Sequence, residues 1–143
     1  MVTPIKKILI GINMTDISRR AFYTGLDLAS RFGAETFVLH VSEPIRSYDF
    51  GKARYVETSE IIERVEAGVK RRVDELWESR GIDAVDRRKI HVVVRGGRAA
   101  EEIVASAAAK GVDLIVIGQG AQSTAETVVR GAPCSVLTVR PSE

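Results

Sequence analysis

Two short stretches of this 143-residue chain carry residue types suited to holding an anion. Gly118-Gln119-Gly120 follows the apolar run Leu114-Ile115-Val116-Ile117, and Ser123 and Thr124 come soon after. Glycine backbone between a buried strand and a helix N-terminus can turn N–H groups toward a phosphate, and the helix dipole adds to the attraction. The second stretch, Asn13-Met14-Thr15, follows Ile8 to Ile12 and offers an amide and a hydroxyl at a similar strand-to-helix corner. Binding of a phosphate-bearing ligand, rather than covalent chemistry, is what these groups can do.

Each of these residues also has a plain structural use. Ser123-x-x-Glu126 is a capping box, which satisfies free N–H groups of the helix itself. Asn13 and Thr15 are ordinary turn and cap residues. There is no Walker A sequence, and a dinucleotide fingerprint would need a third glycine where Ser123 stands. His40 ends the second predicted strand with no Ser, Asp or Cys partner at a recognisable spacing, so it reads as a core or rim histidine; His91 starts the third. Two distant histidines and one cysteine make no metal pattern. Cys134 borders an apolar run and reads as an inert thiol, and Asp113 as the end of a turn. With no visible nucleophile, base or metal, the expectation is a non-enzyme; slow ATP hydrolysis is the lesser alternative.

The elements that must position these residues follow from composition and periodicity. Hydrophobic residues make up 45% of the chain and charged ones 28%, which suits one globular domain over residues 1–143. A net charge of +2 argues against a nucleic-acid binder, and the basic stretches Lys70-Arg71-Arg72 and Arg87-Arg88-Lys89 read as solvated surface. A single cysteine excludes an intrachain disulfide and suits a reducing, cytoplasmic setting; no segment approaches membrane-spanning length.

Five near-continuous apolar runs, Ile8 to Ile12, Phe37 to Val41, His91 to Val94, Leu114 to Ile117 and Val136 to Val139, have the pattern of strands buried on both faces. Helix-like stretches alternate with them, which implies a parallel sheet with right-handed crossovers. The first helix runs from Thr15 or Asp16 to Gly33, with Ala21, Gly25, Leu28, Ala29 and Phe32 facing the sheet. The second spans about Glu60 to Arg80, the third about Arg98 to Lys110 with Ile103, Val104, Ala107 and Ala108 buried. The fourth spans about Thr124 to Arg130 and closes at Gly131. Glu43 to Thr58 reads as a long loop, a lid or an interface segment.

In this order the residues resemble the universal stress protein family. The match runs through Lys7-Ile8-Leu9-Ile10-Gly11-Ile12, Ser18-Arg19-Arg20-Ala21, Leu28 to Ala34, Val38-Leu39-His40-Val41 and Gly97-Arg98-Ala99-Ala100-Glu101-Glu102-Ile103. It continues through Gly111 to Gly118 and Ala132-Pro133-Cys134-Ser135-Val136-Leu137-Thr138-Val139-Arg140. The resemblance implies an α/β fold in three layers, a five-stranded parallel sheet in the order 3-2-1-4-5 with helices on both faces. It also implies a homodimer through the last strand, with Val136, Leu137, Thr138, Val139 and Arg140 at the interface. In that order the crevice between the first and fourth strands is the place for a ligand. The candidate contacts for an adenine nucleotide, ATP or AMP, are Ile12, Asn13, Met14, Thr15, Val41, Gly118, Gln119, Gly120, Ser123 and Thr124.

Nucleotide-binding members share an Asp-and-Gly turn followed by Ser after the first strand. After the fourth they share Gly, two residues, Gly, nine residues, Gly, then Ser or Thr. Here Asn13 stands at the Asp, Met14 at the Gly and Thr15 at the Ser; Ser123 follows Gly118 by five positions, so about nine residues are missing. Two functions follow. One is a regulatory stress protein that acts through protein partners and lacks tight ATP binding; the other is an adenine-nucleotide module with a one-phosphate cup.

Overall fold

The computed structural model describes residues 4–13, 16–42, 48–49, 51, 54–55, 58–80, 87–120 and 124–140. In chain order these form β1 (Lys7–Ile12), α1 (Asp16–Phe32), β2 (Glu35–Ser42), β3 (Tyr48–Asp49), β4 (Arg54–Tyr55) and α2 (Thr58–Arg80). After a 3-10 turn at Arg87–Lys89 come β5 (Ile90–Gly96), α3 (Ala99–Lys110), β6 (Leu114–Gly118), α4 (Thr124–Gly131) and β7 (Ser135–Val139).

Five strands build one parallel sheet in the order β5-β2-β1-β6-β7. Counted without the small β3–β4 ladder, that is the expected order 3-2-1-4-5. The central strands are apolar on both sides because both sides are covered. Ile8, Ile10, Val38, Leu114 and Val116 face α1 and α2, packing with Phe22, Leu26, Val69 and Val73. Leu9, Leu39, Ile115 and Ile117 face α3 and α4, packing with Ile103, Ala107, Ala125 and Val128. Fully burying one such aliphatic side chain contributes about 1.5–3 kcal/mol, so the two half-cores dominate stability.

Side chains tie the layers at specific points. Tyr23 donates its hydroxyl to the Leu76 carbonyl at 2.9 Å, joining α1 to α2. Asp113 is more than the end of a turn: its carboxylate accepts from the N–H groups of Lys6 (2.9 Å) and Lys7 (3.0 Å), fastening the start of β1 to the start of β6. The helices α1 and α3 end at Gly33 and Gly111, whose φ angles of 62° and 65° favour glycine.

Four expectations need correction. Phe32 does not face the core; it is 48% exposed, and the fully buried residues of α1 include Phe22 and Leu26 instead. Ala108 is exposed, while Ser106 is buried. Gly131 belongs to α4 rather than following it, and the Ala132 N–H still reaches the Val128 carbonyl at 2.8 Å. The segment from Glu43 to Thr58 is not all loop: β3 and β4 pair antiparallel, Tyr48 with Tyr55 and Asp49 with Arg54, and α2 already includes Thr58.

Three side chains of the two basic stretches pair with carboxylates at the surface. Lys70 pairs with Glu66 at 2.8 Å, Arg72 with Glu75 at 3.4 Å, and Arg87 with Asp74. Such exposed pairs contribute little to stability.

Candidate functional site

The crevice forms where β1 and β6 end and the chain leaves in opposite directions, toward α1 over one face and toward α4 over the other. Gly11 pairs with Ile117 and Ile12 with His40. Carrying the register one residue further places Gly118 beside Ile12 and Val41 beside Asn13. Ile12 packs partly into the α1–α2 half-core and Val41 into the α3–α4 half-core, so they bracket the sheet edge from its two faces. Gly11 leaves room here for the Ile117 side chain, since a Cβ at that position would lie 2.8 Å from Ile117 Cγ2.

Asn13 is exposed at the mouth, and its N–H donates to Ser18 Oγ at 2.6 Å. His40, half-buried at the end of β2, places Nδ1 3.3 Å from the Ile12 carbonyl. Burial pulls the His40 pKa below its ordinary value, opposed in part by that carbonyl, so the ring favours its neutral form. Beyond β6, Gln119 and Gly120 are exposed, but the Gln119 N–H is already used by the Val139 carbonyl at 2.8 Å. That removes one main-chain donor from the turn.

Gln119 and Gly120 also border a cleft of about 330 Å³, lined further by Ala125, Glu126, Val129, Arg130 and Thr138. It opens on the α4–β7 side of the turn, not toward Asn13 and Val41. The structure thus gathers Ile12, Asn13, Val41 and Gly118 at the crevice, while Gln119 and Gly120 stand between the crevice and the cleft. Thr124 opens α4 and is half-buried. Met14, Thr15 and Ser123 lie outside the described residues. Arg130 was not singled out in the sequence, and Glu126 only as a capping residue; their separation of one helical turn on α4 was the available signal.

At β7 the expected interface residues divide. Val136, Leu137, Thr138 and Val139 lie in the strand, but Arg140 lies beyond it and its carbonyl accepts from Arg20 Nη1 at 3.0 Å.

The remaining reactive side chains are at the other end of the sheet. His91 pairs with Glu35 at 2.9 Å and stacks on Phe37, with ring centroids 5.3 Å apart. Cys134 is half-buried; burial, then the Asp113 charge, push its thiol pKa up, against a bond with the Ile115 backbone that lowers it. It stays protonated at neutral pH. Among the described residues no three of His, Cys, Asp and Glu gather where they could hold a metal. No helix among them is long and apolar enough to cross a membrane.

Comparison with known proteins supports the fold and identifies the family. Universal stress protein A homolog 2 from Coxiella burnetii is 31% identical, over 94% of this chain and 94% of that protein. A solved universal stress protein in complex with cAMP superposes with a TM-score of 0.75 at 15% identity, covering 98% of this chain and 100% of that one. A family protein from Arabidopsis thaliana with AMP bound gives 0.62 at 16% identity, covering 96% and 92%. At those identities the two structures speak for the fold alone. The model of the universal stress protein family matches residues 4–140, and the chain belongs to that family.

Proposed function

We propose that this stress protein is a non-enzymatic regulator whose crevice takes at most a single-phosphate adenine nucleotide and does not hold ATP tightly. The observation that carries this reading is the connection between β6 and α4. Only residues 119–123 separate Gly118 from Thr124, and the Gln119 N–H is spent on the sheet. An N–H bond to a charged phosphate oxygen contributes about 1.5–3 kcal/mol. A loop too short to reach the outer phosphates therefore gives up about tenfold or more in affinity for each bond it cannot make.

The bound nucleotides of two structural relatives favour the smaller ligand, since cAMP and AMP each carry one phosphate. Asn13 in place of a carboxylate suits neutral hydrogen bonding to a ribose or adenine edge rather than charge pairing. The same reading takes the chain as a cytoplasmic homodimer that passes its state to protein partners, with β7 as the pairing edge.

Isothermal titration with AMP, cAMP, ADP and ATP tests the nucleotide reading. Affinity for AMP equal to or above that for ATP is the expected result. Low-micromolar ATP binding that exceeds AMP binding overturns it.

A further inference from the structure

The bonds from Ser18 and His40 end on the same chemical unit. The Ile12 carbonyl and the Asn13 N–H are the two polar ends of one planar peptide group. Ser18 Oγ, on the first turn of α1 and only 4% exposed, accepts from the N–H side at 2.6 Å. His40, on β2, meets the carbonyl side at 3.3 Å. Two elements therefore grip one peptide plane from opposite directions at the point where β1 leaves the sheet.

We infer that His40 is a positioning residue of the crevice, which together with Ser18 fixes the Ile12–Asn13 peptide and so sets the direction in which Asn13 meets a ligand. A carbonyl oxygen can only accept, so the proton of the neutral ring sits on Nδ1 and Nε2 carries the lone pair. Burial favours the neutral ring against the carbonyl, which alone would favour the charged form. With both of its polar ends occupied, this peptide has little left to offer an adenine or ribose. Recognition at β1 then falls to the side chain of Asn13, aimed by the held peptide. This inference rests on the nucleotide reading only for its ligand.

The test joins a spectroscopic and a binding measurement. Long-range proton–nitrogen NMR of the wild-type chain is expected to show His40 protonated on Nδ1. In hydrogen exchange, the Asn13 amide is expected to be protected in wild type and to lose that protection in Ser18→Ala. His40→Leu should weaken AMP binding about fivefold, the size of one ordinary hydrogen bond. His40→Asn places an amide N–H near the Nδ1 position and should recover most of the loss. His40 protonated on Nε2, or His40→Leu binding AMP as wild type does, overturns the inference. Should wild type bind no AMP, the nucleotide reading fails by itself. The tautomer and the Asn13 exchange then still decide the hold, and neither needs a His40 variant to fold.

Discussion

At the residue scale, His40 gives the clearest dependence on pH. Its folded-state pKa lies below the ordinary 6.5, chiefly because burial disfavours the charged ring. Between that lowered value and 6.5 the unfolded chain binds more protons than the folded one, so stability rises with pH across the window. The contribution is fully present above 6.5, is lost as pH falls below it, and levels off once the folded ring is also protonated. Urea unfolding of wild type and His40→Asn from pH 7.5 to 5.5 should show wild type losing stability relative to the variant as pH drops. Parallel curves would contradict the assignment. The sequence left His40 as a core or rim histidine and did not show its bond to Ile12, because a contact between neighbouring strands depends on register, which periodicity does not report. Ile12, Asn13, Val41 and Gly118 were legible for the opposite reason: they end or directly follow apolar runs, and parallel strands bring such ends to one edge. Arg130 was hidden because an i, i+4 acid–base pair on a helix is the commonest of surface patterns.

At the scale of elements, β1 and β6 were legible because burial on both faces leaves almost no polar residue inside them, while β2, β5 and β7 showed through their Val, Ile and Leu runs despite polar residues such as Thr36, His91 and Thr138. The helix faces were legible only in part. The stripe proposed for α1 holds at Ala21, Gly25 and Ala29, which are buried, and fails at Phe32 in the last turn, which is exposed; the buried face is wider than the stripe and also takes in Phe22 and Leu26. The β3–β4 ladder was not legible, since two-residue strands carry no period. Where α1 crosses β1, Gly25 permits an approach that no other residue would: an added Cβ would lie 2.5 Å from Ile10 Cδ1 and 2.6 Å from Cγ1. Alanine favours a helix over glycine by about 1 kcal/mol, yet forcing a methyl into a packed core costs about 1–3 kcal/mol. Gly25→Ala should therefore destabilise by about 1 kcal/mol net, read as a lower urea midpoint with an unchanged slope. A higher midpoint would mean that α1 can lift from the sheet at little cost.

At the scale of the molecule, the proposed dimer depends on which main-chain groups β7 leaves open. Val139 turns its polar groups inward, since its carbonyl holds the Gln119 N–H. Successive residues of a strand alternate sides, so Val136 and Thr138 present N–H and C=O outward, where no strand among the described residues pairs with them. Leu137, 36% exposed on one face of the edge, and Val129, 53% exposed on α4, supply apolar surface beside it. Proline is tolerated on an edge strand when the lost N–H points to solvent. Thr138→Pro should then leave the fold intact while removing a donor that a second β7 would need, whereas the same change at Val139 would strike the sheet itself. Light scattering should report a fall from two chains to one for Thr138→Pro, with the urea midpoint held. Leu137→Lys should weaken the dimer through the side-chain face without altering the strand's hydrogen bonds. A wild-type chain that scatters as a monomer, or variants that both remain dimeric, would remove β7 as the pairing edge.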